Sequence, residues 1–266
     1  MRELFRSLFT VSSYTALSRV LGFIRDIIIA KYLGSTVTAD AFFVAFRLPN
    51  FFRRVLAEGA YSAALIPVFS GIVIDSKNDK EAADFVENTM SFLLCVTFVL
   101  TIIFYFGMPY IIQILAPGFL DNEEAFNLAV HFGKIIFPYI IFISLVAHFT
   151  SIMNVHGKFA AGSFAPAILN ISFILSLFIL TPQLPSAGHA LSYGVLIGGL
   201  FQFILMYRAV LNFYRPRIRL PKLNTRMKKF FALFLPGIIG SGVIQLNIVI
   251  GTVCLLYTSP SPRDRG

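Results

Sequence analysis

Charged residues are scarce in this chain of 266 residues: they make up 13% of the sequence, whereas 57% of the residues are hydrophobic. A soluble domain of this length carries about twice that charged fraction. Several apolar runs approach or exceed the roughly 20 residues that an α-helix needs to cross a bilayer. The sequence therefore predicts an all-α polytopic membrane protein.

Cysteines and acidic residues are also few. Cys95 and Cys254 imply neither a disulfide framework nor a metal site, and the four histidines lack the spacing of metal ligands. The 13 acidic residues face 22 basic ones, which gives a net charge of +9. Because the basic residues lie in short loops between apolar runs, we interpret them as the positive-inside pattern and not as a nucleic-acid-binding surface. No P-loop, nucleophile elbow or HExxH motif occurs, so no catalytic residue and no cofactor is predicted.

The apolar runs predict seven membrane-spanning helices, over residues 9–32, 39–74, 88–115, 127–153, 159–181, 188–211 and 228–253. The second is too long for one straight crossing and contains Pro49 and Pro67, which predicts a kinked helix or a helix with a break. The amino terminus and the loop after the sixth span are basic, whereas the loop after the third span is acidic. The amino terminus is therefore predicted to be cytoplasmic.

Two segments outside these spans have unusual compositions. Residues 208–229 contain eight basic residues and no acidic one, which fits either a surface helix that binds anionic lipid or an ordinary cytoplasmic loop. From Cys254 onward the sequence CLLYTSPSPRDRG is polar and rich in Ser and Pro. It resembles translated vector sequence attached to a truncated gene.

Charged side chains occur inside the first predicted span, where they are costly. A guanidinium near the bilayer centre costs roughly 2.5–3.5 kcal/mol on insertion scales, so such a residue marks a pathway or a binding site. On a helical wheel Arg19, Arg25 and Asp26 share one wedge of about 140° with small polar residues. The pattern predicts a polar stripe along one side of this helix.

The second span repeats this pattern. On an unbroken helix, four charged residues fall within about 40° of one another: Asp40, Arg47, Arg54 and Glu58. Asn50 and Arg53 lie further round, and a kink at Pro49 would turn Arg53 toward the same cavity. Arginines outnumber acids in the two spans, which favours an anionic ligand, and a planar guanidinium suits the oxygens of a phosphate or diphosphate on an amphiphile. Internal ion pairs that only hold helices together are the alternative.

The stretch from Ser12 to Pro67 carries a recognisable combination of motifs, SSYTALSRVLGFIRD followed by TADAFFVAFRLPNFFRRVLAEGAYSAALIP. It resembles the amino-terminal part of the MurJ (MviN-type) lipid II flippases, in the multidrug/oligosaccharidyl-lipid/polysaccharide exporter superfamily. Three later segments agree, and the resemblance extends over residues 1–252: LAPGF at 115–119, NVHGKFAAGSFAPAILN at 154–170 and LPG at 235–237.

The resemblance implies an alternating-access flippase of the bacterial inner membrane, not an enzyme. Its substrate would be lipid II, the undecaprenyl-diphosphate-linked disaccharide-pentapeptide of peptidoglycan synthesis. In the family, arginines at the positions of Arg19, Arg25 and Arg53 line a cationic cavity for the diphosphate. Asp40 and Glu58 also match charged positions of the family motif, and Arg47 stands where a basic residue is usual.

The family has about fourteen helices in two lobes. By that comparison the chain holds a six-helix first lobe (1–211), a basic cytoplasmic linker (212–227), the first helix of the second lobe (228–253) and a tail of non-native appearance (254–266). We therefore expect this fragment to form half of a cavity. Its expected partners are membrane lipids and the missing carboxyl-terminal lobe. The fragment alone is not expected to transport.

Three classes of alternative stay open from the residues themselves. A related exporter would move another lipid-linked glycan, and a cation-coupled drug extruder should have a net acidic cavity, which this chain lacks. A membrane enzyme acting on lipid diphosphates would need a nucleophile or metal-binding acids beside the arginines. A membrane scaffold would account for the apolar packing but not for the stripe of charge.

Overall fold

The computed structural model describes the backbone of residues 2–75 and 79–258, and the side chains of residues 8–54, 59–74 and 80–243. Within these ranges the chain is helical with short turns, and no strand occurs among the described residues. In chain order the helices are α1 (Arg2–Leu33), α2 (Val37–Phe52), α3 (Ser62–Asp75), α4 (Asp79–Leu115), α5 (Glu123–Ile136), α6 (Tyr139–Val155), α7 (Ala160–Leu180), α8 (Ala187–Val210) and α9 (Thr225–Thr258).

Four helical stretches are long and apolar enough to cross a membrane: Lys80–Leu115, Glu123–Val155, Ala160–Gln183 and Ala187–Val210. The second of these comprises α5 and α6, with the break at Pro138, which has no amide hydrogen to donate. The all-α polytopic architecture is thereby confirmed. The other predicted spans fall on α1, on the run from α2 to α3 and on α9, and their crossing of the membrane stays a prediction.

Helix ends follow local sequence signals. The hydroxyl of Thr36 caps α2 by accepting a hydrogen bond from the amide of Ala39 at 3.3 Å, and the Asn122 side chain caps α5 through the amide of Ala125 at 3.1 Å. Such caps satisfy amide groups that have no partner inside the helix. Gly34, with a φ of +58°, supplies the left-handed backbone that turns the chain out of α1.

The second predicted span is one helical run from Val37 to Asp75, interrupted by a π-helical segment at Arg53–Tyr61. Neither Pro49 nor Pro67 ends the run, because each lies inside a helix. A π-helix closes i→i+5 hydrogen bonds, so side chains beyond it point in other directions than an α-helix would give them. The alignment of Arg54 with Asp40 was calculated for an unbroken α-helix, so across this segment it stays a prediction.

Helix α7 lies between α1 and α8, while α2 packs on α5, and α9 packs on the π-helical segment and α3. The contact between α7 and α8 is close because glycines face small side chains. A Cβ atom on Gly194 would lie 2.3 Å from Ser176 Oγ, and one on Gly198 would lie 3.0 Å from the Cβ of Ser172. The Gly194–Gly198 GxxxG pair thus packs helices within this chain.

The basic linker lies along the start of α4 and does not form the surface helix that its composition allowed. Residues 214–224 have no regular secondary structure, and α9 begins at Thr225. Hydrogen bonds from the linker backbone go to side chains of α4, which explains why no helix is needed there. Burial and the nearby Glu87 carboxylate raise the pKa of Tyr214, so its hydroxyl stays protonated at neutral pH.

Helix α9 runs on to Thr258, and residues 259–266, the larger part of the tail, lie outside the described residues.

Candidate functional site

The guanidinium of Arg25 on α1 is held by two side chains. Its Nε and Nη2 lie 2.9 and 2.7 Å from Oδ1 of Asp26, and its Nη1 donates to Oδ1 of Asn170 on α7 at 2.7 Å. The Asn170 amide in turn donates to the backbone carbonyl of Ser18, about two turns before Arg25 on α1, at 2.9 Å. Asn170 is buried, so its two hydrogen bonds fix both the arginine and the helix that carries it.

Phe173, one turn further along α7, joins this arginine to α2. The Arg25 Cζ atom lies 5.6 Å from the centroid of the Phe173 ring, a distance that permits a cation–π contact. The same ring packs edge-on against Phe46 and Phe42 of α2, with centroid separations of 5.6 and 6.2 Å. Helix α7 therefore connects the two charged helices that the sequence singled out.

Other charged side chains in the described part of α1 face outward. Arg19 is exposed, and the side chain of Asp26 is 65% exposed while that of Arg25 is 26% exposed. One carboxylate cannot neutralise both arginines, so the described part of α1 leaves an excess of positive charge on its polar side.

Two of the predicted site residues on α2 are exposed, and a third forms a hydrogen bond with Arg53. Asp40 lies in the first turn and is exposed, and Arg47 is exposed two turns later. Nε of Arg53 donates to Oδ1 of Asn50 at 3.3 Å, across the boundary between α2 and the π-helical segment. Arg54 is exposed, and the side chain of Glu58 lies outside the described residues.

The structure thus brings together Arg25 with Asp26, and Asn50 with Arg53. Four clefts of 140–460 Å³ lie among other residues, and none of these four is lined by any predicted site residue. Arg19, Asp26, Asp40, Arg47 and Arg54 are each exposed.

Asn170 is the site residue that the sequence interpretation missed. It lies inside the predicted span 159–181. That position is itself the useful signal, because a polar side chain at the middle of a membrane helix usually has a specific partner. Among the described residues no group of His, Cys, Asp and Glu is arranged to hold a metal ion.

Known proteins with similar sequences show to which family the chain belongs. The family model of the lipid II flippase MurJ matches residues 29–255. The chain belongs to the MurJ lipid II flippase family. A curated member of this family, the lipid II flippase MurJ of Burkholderia cenocepacia, is 35% identical over 257 residues, which are 94% of this chain and 49% of that protein. The chain spans about half the length of the curated relatives it matches.

Solved structures agree with the MurJ fold. The lipid II flippase MurJ in its inward closed conformation superimposes with a TM-score of 0.76 at 30% identity, and the match covers 90% of this chain and 49% of that one. A MATE transporter matches with a TM-score of 0.69 over 94% of this chain and 55% of its own, at 12% identity. That second likeness shows the shared transporter fold alone.

Proposed function

We propose that this chain is the amino-terminal part of a flippase that moves lipid II across the bacterial inner membrane by alternating access. The observation that supports this most directly is the Arg25 guanidinium, which Asp26 and Asn170 hold in a chain of the MurJ family. In this proposal the amino terminus is cytoplasmic, as the basic loops indicate.

The diphosphate of lipid II would replace Asp26 at Arg25. A guanidinium offers five donors, and here Asn170 takes one while the Asp26 carboxylate takes two. Asp26 is mostly exposed, so its side chain can turn away without breaking a packed contact. The diphosphate oxygens would then take the same donors, and Asn170 would keep the guanidinium in place during the exchange.

The other predicted site residues would surround this contact. Arg19 and Arg53 would neutralise further diphosphate oxygens, and the remaining residues would set the charge of the cavity wall: Asp40, Arg47, Asn50, Arg54 and Glu58. Because the surplus charge is positive, the wall suits an anionic head group and repels a cationic drug.

The described bundle would then be one half of a two-lobed transporter. We assign residues 1–211 to the first lobe, 212–227 to the linker and 228–253 to the first helix of the second lobe, with 254–266 as a non-native tail. Alternating access requires one lobe to rock against the other. The fragment by itself should therefore bind without transporting, and rescue of flippase-depleted cells by the fragment would refute this.

The test of the site is Arg25→Ala in the complete parent protein, reconstituted in vesicles with lipid II. Flipping should be abolished while the protein keeps its helical circular dichroism and elution volume. Lys31→Ala is the matched control, because Lys31 is an exposed basic residue in the last turn of the same helix. Unchanged flipping in Arg25→Ala would remove Arg25 from the mechanism.

The same assay separates lipid II from another lipid-linked glycan. Excess undecaprenyl diphosphate without sugars should compete only weakly if the disaccharide-pentapeptide is recognised. Full competition would show that the protein recognises the diphosphate alone, and would favour a general exporter of lipid-linked glycans.

A further inference from the structure

Within the linker, residues 212–227, the stretch that precedes α9 is fastened to α4 through its backbone. The Asn88 side chain accepts a hydrogen bond from the amide of Lys222 and donates one to the carbonyl of the same residue. Oγ of Ser91 accepts from the amide of Arg219 at 3.0 Å. These contacts fix which side of the linker faces the protein, although residues 214–224 form no helix.

The basic side chains that face α4 are paired with acids. Arg219 lies between two carboxylates, with Nη1 at 2.7 Å from Asp84 Oδ1 and Nε at 2.7 Å from Glu87 Oε2. Nε of Arg226, at the start of α9, lies 2.9 Å from Oε1 of Glu81. The acidic side chains of α4 therefore account for two of the eight basic residues between 208 and 229.

The outward side of the linker combines large apolar side chains with basic ones. Ile218, Leu220 and Leu223 are 77%, 87% and 68% exposed. Arg217, directly before Ile218, and Lys222, directly before Leu223, are also exposed, and the linker contains no acidic residue. We name these five residues the linker strip.

The position of the linker strip identifies its partner. It directly follows α8, one of the helices long and apolar enough to span a membrane, so it lies at the membrane surface. Tyr207, in the last turn of α8, is also exposed, and tyrosine is enriched at the membrane–water interface. Apolar side chains alternating with cations suit a leaflet that carries anionic lipid.

We propose that the linker strip binds the surface of the cytoplasmic leaflet through anionic lipid. Ile218, Leu220 and Leu223 enter the region between head groups and acyl chains, and Arg217 and Lys222 contact lipid phosphates. Because the linker backbone is fastened to α4, this contact holds the start of α9 at a constant depth. The inference does not depend on the substrate proposed for the arginines of α1 and α2.

The chain contains no tryptophan, which gives a direct test. Leu220→Trp introduces a single reporter in the 266-residue chain, reconstituted in nanodiscs of phosphatidylcholine with or without phosphatidylglycerol. Brominated acyl chains should quench its fluorescence at least twofold more with phosphatidylglycerol than without. Arg217→Gln combined with Lys222→Gln, in the same background, should remove most of that difference.

Leu175→Trp is the matched control, because Leu175 is a half-exposed leucine within the predicted span of α7. Its quenching should not depend on the lipid head group. If Leu220→Trp impairs folding, judged by circular dichroism and elution volume, Ile218→Trp asks the same question.

Three results would overturn the proposal. If acrylamide quenches the tryptophan fluorescence and brominated lipid does not, the strip lies in water. Quenching that is equal in both lipid mixtures would exclude a role for anionic lipid. Protection from both quenchers would show that protein covers the strip, either a second copy or another part of a longer chain.

Discussion

Oδ1 of Asn170 accepts a hydrogen bond from Nη1 of Arg25 at 2.7 Å, although the two residues are 145 positions apart in the sequence. The same side chain donates to the carbonyl of Ser18 at 2.9 Å. One buried amide thus ties a charged side chain and the backbone of α1 to α7. Arg25 is therefore held in one orientation before any ligand arrives.

Replacing this amide should weaken the contact between α1 and α7. Asn170→Ala removes the acceptor for one donor of a partly buried guanidinium and the additional hydrogen bond to the Ser18 carbonyl, which costs about 1–3 kcal/mol of unfolding free energy. Thermal unfolding in detergent micelles would measure the loss. Asn212→Ala is the control, because Asn212 is exposed after α8. Equal midpoints for the two variants would contradict the assigned role of Asn170.

Two glycine-to-alanine changes should have opposite effects. In Gly194→Ala the new Cβ would lie 2.8 Å from the Cβ of Ser176, so α7 and α8 must separate, at a cost of about 1–3 kcal/mol. Gly71→Ala meets no atom within 4 Å and should add up to about 1 kcal/mol through helix propensity. Unfolding midpoints of the two variants should move apart. A shift in the same direction for both would show that close packing at Gly194 does not limit stability.

A buried hydrogen bond between α6 and the end of the π-helical segment gives a third prediction. Tyr61 Oη lies 2.6 Å from His148 Nδ1, and both residues are fully buried. Tyr61→Phe should lower the unfolding free energy by about 1–3 kcal/mol, because it leaves a ring nitrogen without a partner. Adding His148→Leu should cost less in this background than in the wild-type chain. Strictly additive losses in this double-mutant cycle would exclude the coupling.

The fold class could be predicted because the length and apolar composition of a helix are local properties of the sequence. Four of the predicted spans correspond to helices long and apolar enough to cross a membrane. The π-helical segment could not be predicted, because no local sequence pattern shows how closely this stretch packs against α9. A Cβ on Gly59 would lie 2.8 Å from Ser241 Oγ, and one on Gly237 would lie 3.1 Å from the Cβ of Ala60.

The candidate site, like the fold, could be predicted from the sequence only in part. Charge inside apolar spans singled out Arg25 and Asp26, and the structure pairs them. The contribution of α7 was not foreseen, because a helical wheel describes one helix and not its neighbour. The linker shows the same limit: its basic residues were evident, but the side chains of Asn88 and Ser91 that hold its backbone belong to α4.

Because of the π-helical segment at Arg53–Tyr61, the number of residues in this helix must be correct to within one. Before it, α2 packs on α5, and after it the same helix packs on α9. Each residue of a helix turns the chain by about 100°. Removing one residue to restore a regular α-helix would rotate Tyr61 away from His148. Evolution of this stretch should therefore tolerate substitutions far better than deletions.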